Sequence, residues 1–345
     1  MSVRVKEFCT TSGKHIYAVP VEAFPEFWAY VYLVELGDLR ILIDAGSSLP
    51  ASVQGLEQGL RSCGYSIKDL THVLLTHGHI DHFGGVLHLR EHSQAQIGLH
   101  ELDWQAVSRH EGRLALISRR LEAFLAQAGV ESEKRKELLR LYHFTKAFYH
   151  SVDVDFTYEA QGMRLGRLQM LHVPGHCPGH VLIRLEDVLF SGDMLLNGTT
   201  PHQAPESIIP FMGVEHYLHS LRQMRTWAKE ANLVLGGHHA PLENAPDMLE
   251  RTIQRLGRRL QDVLKAFAEP HTILEATLQL YGQKQGYDEL LAVEKVGAFV
   301  EYLYQRGWLE IVNAQEGAEA PLIYRCVRAG SESEILLEER NHVLV

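Results

Sequence analysis

The segment Thr76–Gly85 constrains this chain most, because it places three histidines and an aspartate within the six-residue motif H-G-H-I-D-H. The motif directly follows an apolar run that is typical of a buried strand. Side chains two positions apart in an extended segment point the same way, so His77 and His79 can reach one ion. Asp81 and His82 follow where the chain must turn towards a helix, and they can face a second ion. Neutral imidazoles and a carboxylate suit zinc or another borderline divalent metal.

Length and composition indicate a folded globular chain with more than one domain. At 345 residues the chain is long for a single hydrophobic core, which favours one large domain plus a smaller one. Apolar residues at 46% and charged residues at 22% are ordinary for a globular protein. The formal net charge of -10 opposes non-specific binding to nucleic acid and to anionic membranes.

We expect neither secretion nor a membrane span. The longest apolar runs of the sequence fall short of the roughly 20 residues that cross a bilayer. Met1–Lys6 is not followed by the apolar core of a signal peptide. Cys9, Cys63, Cys177 and Cys326 are widely separated and lack C-x-x-C spacing. We therefore expect reduced cysteines and a cytoplasmic location.

Strand and helix patterns alternate along the first 245 residues. Strand patterns lie at 3–43, 72–76, 163–191 and 233–235, and helical patterns at 52–63, 84–92 and 215–229. This alternation predicts an α/β sandwich whose polar loops gather at strand ends.

Three further segments could line a site at those strand ends. A predicted loop at 21–28 carries three aromatic residues, which could wall a pocket or simply close the end of a sheet. The segment at about 101–150 is helical in pattern and too long for a loop. This insertion could be a lid over an active site or could merely extend the fold. The polar stretch at 197–212 could also line the site.

The character of the chain changes after Pro246. Residues 246–269 are predicted to form a long connecting helix. Residues 270–345 read as two helices and a two-stranded hairpin with a loose tip at 313–320, a pattern typical of a winged helix. Between residues 271 and 328, five lysines and arginines stand against eight aspartates and glutamates, whereas phosphate contacts need an excess of positive charge. We expect a packing or homodimerisation module, and nucleic acid is not an expected partner.

Four more motifs place a metal-binding side chain at the end of a predicted strand. They are Asp44 after I-L-I, His176 in V-P-G-H-C-P-G-H, Asp193 in F-S-G-D and His238 in L-G-G-H. One histidine or aspartate in a turn is a weak signal, because such residues commonly cap a helix or face solvent. In this order, each at a strand end, they indicate one shared site.

Together these residues resemble the metallo-β-lactamase superfamily, whose signature is an Asp, H-x-H-x-D-H, a His, an Asp and a final His. The resemblance covers residues 1–245 and implies an α/β fold, the αββα sandwich, here with a helical insertion at about 101–150. The segment at 270–345 resembles the small winged-helix extension of some members, joined by the helix at 246–269.

The resemblance implies a centre of two divalent metal ions. The implied ligands are His77, His79 and His176 for one ion, Asp81, His82 and His238 for the second, and Asp193 as the bridge between them. Zinc suits this set best, although the same ligands accept manganese or iron according to availability. Asp44 matches a family residue that orients a ligand and the active-site loop without binding metal.

Three positions in the loops need separate comment. His180 lies in the loop of His176 and could hydrogen-bond a ligand. Cys177 stands where the family usually has threonine. The last motif reads G-G-H-H-A-P instead of P-G-H-G-P, which leaves His238 and His239 as alternatives, and the register favours His238.

Within the superfamily the match is closest to glyoxalase II-like and lactonase-like hydrolases, which share the P-G-H-x-P-G-H loop. The expected activity is hydrolysis of a small-molecule ester, thioester or lactone by a hydroxide that two metal ions activate. Asp81 would orient that hydroxide or receive a proton.

Three alternative functions stay open. The winged-helix pattern invites phosphodiester or RNA cleavage, which the charge balance opposes. A persulfide dioxygenase would use similar ligands with a single iron. A non-catalytic ligand-binding protein is the third, although a vestigial site would have no reason to keep all seven ligands.

Overall fold

The computed structural model describes residues 4–242, 244–317 and 320–337. The strands are β1 (Lys6–Cys9), β2 (His15–Phe24), β3 (Phe27–Leu36), β4 (Leu39–Ile43), β5 (His72–Leu74), β6 (Gln96–Leu99), β7 (Phe156–Thr157), β8 (Arg164–Leu165), β9 (Leu168–His172), β10 (Val181–Leu185), β11 (Val188–Gly192), β12 (Leu233–Gly236), β13 (Leu309–Ile311) and β14 (Tyr324–Cys326). The helices are α1 (Pro50–Ser62), α2 (Ile80–Phe83), α3 (Val86–His92), α4 (Trp104–Ser108), α5 (His110–Gln127), α6 (Ser132–Lys146), α7 (Val214–Glu230), α8 (Ala245–Ala266), α9 (Ile273–Tyr281), α10 (Tyr287–Gln305) and α11 (Glu332–Leu337).

Two sheets form the α/β sandwich. The larger has seven strands in the order β1-β2-β3-β4-β5-β6-β7, antiparallel up to β4 and parallel from β4 to β7. The smaller has the order β12-β11-β10-β9-β8, and only its β11–β12 pair is parallel. The predicted α/β class is confirmed.

Alternating side chains of β4 show how the layers are held together. Ile41 and Ile43 pack with Ile183 and Phe190 of the smaller sheet in a core between the two sheets. Leu42, which points to the opposite face, belongs to a second core that includes apolar residues of α1 and α3. The strand is apolar on both faces because both are covered, as is usual for strands in a parallel arrangement.

Two local predictions were wrong. The segment at 21–28 is not a loop, since β2 runs to Phe24 and β3 starts at Phe27, with a tight turn between them. Glu26 has a positive φ of 65° in that turn, a conformation that is uncommon for a non-glycine residue and was not predicted from the sequence. The strand β6 was missed, because its four residues include a glycine and lack alternation.

Backbone contacts divide the chain into two compact units. The first comprises the chain up to residue 113, then 146–201 and 220–249, and the second comprises 114–145, 202–219 and the chain from 250 on. In the second unit, the Leu274 and Leu322 N–H groups donate to the carbonyls of Ala128 and Gln127, which joins the insertion to the C-terminal segment. The bounds of these units differ from those of the predicted domains at 1–245, 246–269 and 270–345. The predicted domains concern regions that fold independently, and they stay a prediction.

The C-terminal segment contains the predicted helices and hairpin. α9 and α10 precede the antiparallel pair β13–β14, and α11 follows. Residues 318–319 of the predicted hairpin tip, and 338–345 of the predicted winged-helix domain, lie outside the described residues. A winged-helix identity and a role in dimerisation stay predictions. Over the ranges that the structure describes, no helix combines the length and apolar character required to traverse a membrane.

Two glycines of α1 allow a matched test of how tightly this helix packs on β2. A Cβ at Gly59 would lie 2.2 Å from Cγ1 of the buried Val19, whereas a Cβ at Gly55 would meet nothing closer than 3.7 Å. We expect Gly59→Ala to lower the free energy of unfolding by about 1–3 kcal/mol through overpacking. Gly55→Ala should raise it by up to about 1 kcal/mol through helix propensity. Urea unfolding of both variants measures the two changes in the free energy of unfolding. Equal changes would contradict the tight packing of Gly59 on Val19.

Candidate metal centre

The candidate ligands lie together because neighbouring parallel strands end at the same sheet edge. Asp44 directly follows β4 and the His77–His82 segment follows β5, its parallel neighbour. In the smaller sheet, Asp193 follows β11 and His238 follows the parallel β12. His176 lies in the loop between the antiparallel strands β9 and β10, whose turn is at that same edge. This matches the general tendency of α/β sheets to place sites beyond the carboxyl ends of strands.

One group of donors contains three imidazoles. Nitrogen atoms of His77, His79 and His176 all lie within 4.8 Å of one another, and Nε2 of His77 is 3.1 Å from Nδ1 of His79. His77 and His176 are buried and His79 is half-buried. The structure thus brings together the three histidines that the family resemblance implies for one ion.

A second group combines two imidazoles with a carboxylate. Asp81 Oδ2 lies 3.3 Å from His238 Nε2 and 3.8 Å from His82 Nε2. These three residues form another set whose donor atoms lie within 4.8 Å of one another. They are the three residues that the family resemblance implies for the second ion.

Asp193 lies between the two groups. Its Oδ1 is 3.5 Å from His82 Nε2, and its Oδ2 is 3.5 Å from His176 Nε2 and 3.4 Å from His238 Nε2. A carboxylate whose oxygens face both groups has the geometry that a bridging ligand requires.

The spacing of these donors fits a metal of zinc's size. Donors about 2.0–2.1 Å from a shared tetrahedral ion would be roughly 3.4 Å apart, close to the separations above. Nε2 of His82 and Oδ1 of Asp193 are buried and accept or donate no hydrogen bond among the described residues. Gly237 permits this convergence, since a Cβ there would lie 2.4 Å from Asp193 Oδ1. Buried polar atoms without partners are costly, and a metal ion would satisfy both.

Asp44 fixes the orientation of two histidines. Its Oδ2 is 2.8 Å from His82 Nδ1, and its carboxylate also accepts from the backbone N–H and hydroxyl of Thr76. The Thr76 hydroxyl in turn lies 2.9 Å from His77 Nδ1. With both Nδ1 atoms engaged in this way, the Nε2 atoms are directed at the centre. Asp44 has a positive φ of 61°, a strained conformation that these hydrogen bonds retain.

The start of β3 orients His238. Its Nδ1 lies 2.7 Å from the Trp28 carbonyl oxygen, so the Nδ1 hydrogen is donated there and Nε2 faces the carboxylates. The half-exposed ring of Phe27 lies 4.6 Å from the imidazole, centroid to centroid. In the same loop, the Gly237 carbonyl accepts from the Tyr30 N–H and the Gly236 carbonyl accepts from the Tyr32 hydroxyl. The segment at 21–28 thus contacts the centre through the Phe27 ring and the Trp28 carbonyl.

His180 supports the loop of Asp193. Its Nε2 accepts the backbone N–H of Asp193 at 3.1 Å, and its ring stacks on His77 at 4.6 Å. Burial lowers the pKa of His180 well below its ordinary value, so the ring is neutral and able to accept. It acts on the backbone of one candidate ligand and packs on the ring of another.

Two imidazoles of the first group, those of His77 and His79, are held in the neutral form. Burial lowers the pKa of His77 well below its ordinary value, and the neighbouring His82 and His180 add to the effect. Burial and the adjacent His176 do the same to the pKa of His79. Neutral imidazoles are the form that binds a metal.

The second group is held by opposite charges. Burial alone would lower the pKa of His82 and His238, but Asp193 and other nearby carboxylates outweigh it, raising the pKa of His82 and bringing that of His238 to about 10. Burial alone would raise the pKa of Asp81 and Asp193, yet the two imidazoles keep both below the ordinary value. The carboxylates are thus ionised donors, and metal binding would displace protons from the imidazoles.

Sequence reasoning missed Asp103, a fully buried aspartate that links two ligand loops. Its Oδ2 accepts the Gly78 N–H at 2.8 Å and its Oδ1 accepts the Gly179 N–H at 3.0 Å. The Cys177 thiol, whose pKa burial raises well above its ordinary value, also donates to Oδ1 at 3.5 Å. The available signal was an aspartate soon after a short strand, the same signal that identified Asp44. Because β6 was missed, that signal was lost.

The comparisons with known proteins agree with this geometry. The family model described as the metallo-beta-lactamase superfamily matches residues 28–238, more than half of the chain. The chain belongs to the metallo-β-lactamase superfamily. Together with the His/Asp cluster and the relatives below, this makes it an enzyme of the metallohydrolase type.

Relatives from several organisms are similar over much of the chain. The probable metallo-hydrolase YqjP of Bacillus subtilis is 26% identical over 301 residues, covering 83% of this chain and 88% of that protein. The hydroxyacylglutathione hydrolase GloC of Haemophilus influenzae is 27% identical over 190 residues, covering 53% of this chain and 73% of that protein.

Solved structures share the fold. The metallo-beta-lactamase family protein TTHA1429 of Thermus thermophilus matches with a TM-score of 0.72 and 24% identity, covering 90% of this chain and 98% of that one. A beta-lactamase domain protein of Burkholderia ambifaria matches with a TM-score of 0.67 and 20% identity, covering 93% and 95%. The predicted superfamily fold is confirmed.

The choice between His238 and His239 can be tested directly. His239 is exposed and has a positive φ of 65°, at the position where the family motif has glycine. We expect His238→Ala to lower the bound zinc per chain, because it removes a donor of the second group. His239→Gly should keep the zinc and raise the free energy of unfolding by up to about 1 kcal/mol by relieving backbone strain. Zinc loss from the second variant alone would reverse the assignment.

A second prediction concerns Asp103. We expect Asp103→Asn to weaken zinc binding about 10–100-fold, because the loops that carry His77 and His176 lose a shared acceptor. Competition with a chromophoric chelator measures the affinity. Asp155→Asn is the control, since Asp155 accepts the Ile97 N–H at 2.7 Å and pairs with Arg90, and neither partner lies in a ligand loop. If both variants weaken zinc binding equally, Asp103 serves the fold alone.

Proposed function

We propose that this chain is a hydrolase with two divalent metal ions, zinc foremost, that cleaves an ester, thioester or lactone. The observation that carries the proposal is the position of Asp193, whose two oxygens face a three-imidazole group on one side and His82 on the other. A single-ion site would need neither the second imidazole pair nor a carboxylate between the groups.

Each candidate residue would have a distinct role in the reaction. His77, His79 and His176 would hold one ion, and Asp81, His82 and His238 the other, with Asp193 shared. Ions held by these residues would lower the pKa of water and polarise a carbonyl oxygen. Asp81, ionised and half-buried at the centre, would hold the attacking water by a hydrogen bond and accept its proton.

The surroundings support an acyl substrate over a polyanionic one. Phe27 exposes apolar surface beside His238, which suits an acyl chain or ring. The net charge of -10 disfavours a nucleic acid. Relatives named hydroxyacylglutathione hydrolase also support an acyl substrate. A small-molecule substrate follows from these points, while a cytoplasmic location stays a prediction.

A metal analysis and a substrate panel on one preparation of the protein as purified test the proposal. We expect a thioester, lactone or carboxyl ester to be hydrolysed faster than a bis-aryl phosphodiester. Asp81→Asn should lower kcat on the best substrate by about 10²–10⁴-fold, the usual contribution of a general base. Asp153→Asn, which removes an exposed carboxylate, is the control and should leave kcat unchanged.

Each other outcome favours a different function. Faster phosphodiester cleavage would support a phosphodiesterase or ribonuclease. Oxygen uptake on a persulfide, with one iron per chain, would support a dioxygenase. Metal binding without turnover of any substrate in the panel would favour a non-catalytic ligand-binding protein.

A further inference from the structure

A second cluster of metal-binding side chains lies on the outer hairpin β1–β2 and shares no residue with the candidate metal centre. Glu7 and Cys9 are two positions apart in β1, so their side chains share a face of the sheet. Cys9 pairs with His15 of β2, and Glu7 pairs with Tyr17. The register therefore places a carboxylate, a thiol and an imidazole on one face.

The distances between these donors are short. His15 Nδ1 lies 2.6 Å from Glu7 Oε1 and 3.8 Å from Cys9 Sγ, and the three donor atoms all lie within 4.8 Å of one another. Around one zinc ion, with bonds of about 2.3 Å to sulfur and 2.0–2.1 Å to nitrogen and oxygen, such atoms would be roughly 3.3–3.6 Å apart. A small movement of the half-exposed Glu7 side chain would provide that spacing.

The exposure of Cys9 is itself unusual, because cysteine is among the most buried residue types. β1 is an edge strand of the seven-stranded sheet, so solvent can supply a fourth donor there. The Tyr17 ring lies parallel to the His15 ring, with centroids 6.3 Å apart and an interplanar angle of 12°, and Glu7 holds the imidazole at Nδ1. An exposed thiol beside a held imidazole and a carboxylate is a ligand set for a borderline metal.

The electrostatic environment of this face also favours a cation. The pKa of Tyr17 is raised to about 12, first by burial and then by the negative charges of Glu35 and Glu7. The same two carboxylates add to the effect of burial in raising the pKa of Cys63. A divalent ion beside Glu7 would offset this negative charge.

We propose that Glu7, Cys9 and His15 form a separate surface site for one zinc-class divalent ion, with water as the fourth donor. Cys9 would bind as the thiolate and release its proton to solvent. The ion would link β1 to β2 at the open edge of the sheet.

Cobalt substitution of the full-length protein tests the site without relying on activity. A cobalt–thiolate bond gives a near-ultraviolet charge-transfer band, and none of the candidate ligands at the metal centre is a thiol. We expect the wild type to show this band and to bind one Co²⁺ more per chain than Cys9→Ser. Cys326→Ser is the matched control and should keep both the band and that ion. Absence of the band from the wild type, or its survival in Cys9→Ser, would overturn the proposal.

Thiol labelling with Ellman's reagent gives a second measurement, on Cys9. Zinc at ten times its dissociation constant should slow labelling of Cys9 about tenfold, because only the free thiolate reacts. His15→Ala should abolish this protection if the imidazole is a ligand. Protection that persists in His15→Ala would refute the three-donor site. The outcome is independent of the proposed hydrolysis, since a failed substrate panel changes neither readout.

Discussion

The candidate metal centre depends on the parallel register of β4, β5 and β6 in one sheet and of β11 and β12 in the other. Parallel neighbours end at a common edge, and the apolar core between the sheets brings the two edges together. A shift of one residue in any of these strands would turn its side chains to the opposite face. Asp44 and Asp193, each just beyond a strand end, would then no longer meet the histidines.

Burying so many polar side chains is costly unless each is held by a partner. Asp44 is hydrogen-bonded to His82 and Thr76, and the Trp28 carbonyl accepts from His238. Asp103 accepts backbone N–H groups of two loops. These partners direct the remaining donor atoms inward. The ionised carboxylates Asp81 and Asp193 are compensated by the imidazoles beside them. The buried atoms left without a hydrogen bond include His82 Nε2 and Asp193 Oδ1, which a metal would bind.

The limits of sequence reasoning follow from particular residues. The H-x-H-x-D-H motif was recognisable from the sequence, because its ligand-type residues recur at spacings that suit a strand followed by a helix. The role of Asp103 was not recognisable, since it accepts hydrogen bonds from Gly78 and Gly179, which lie 25 and 76 residues away. The strand pairing around the turn at Glu26 was also missed, because a non-glycine residue has a positive φ there, and its N–H is bound by the side chain of Glu22.

By itself, the sequence determined the α/β pattern and the motifs at the strand ends, because these depend on residue type and local spacing, and those motifs carried the family resemblance that implied the candidate ligands. The tertiary structure alone decided which partners hold these donors, such as the Trp28 carbonyl beside His238 and Asp103 on two ligand loops. It also decided which nitrogen each of His77, His82 and His238 presents. Those features arise from contacts between strands distant in sequence, and local periodicity carries no information about them. The same holds for the Glu7–Cys9–His15 cluster, which exists only through the register of β1 on β2.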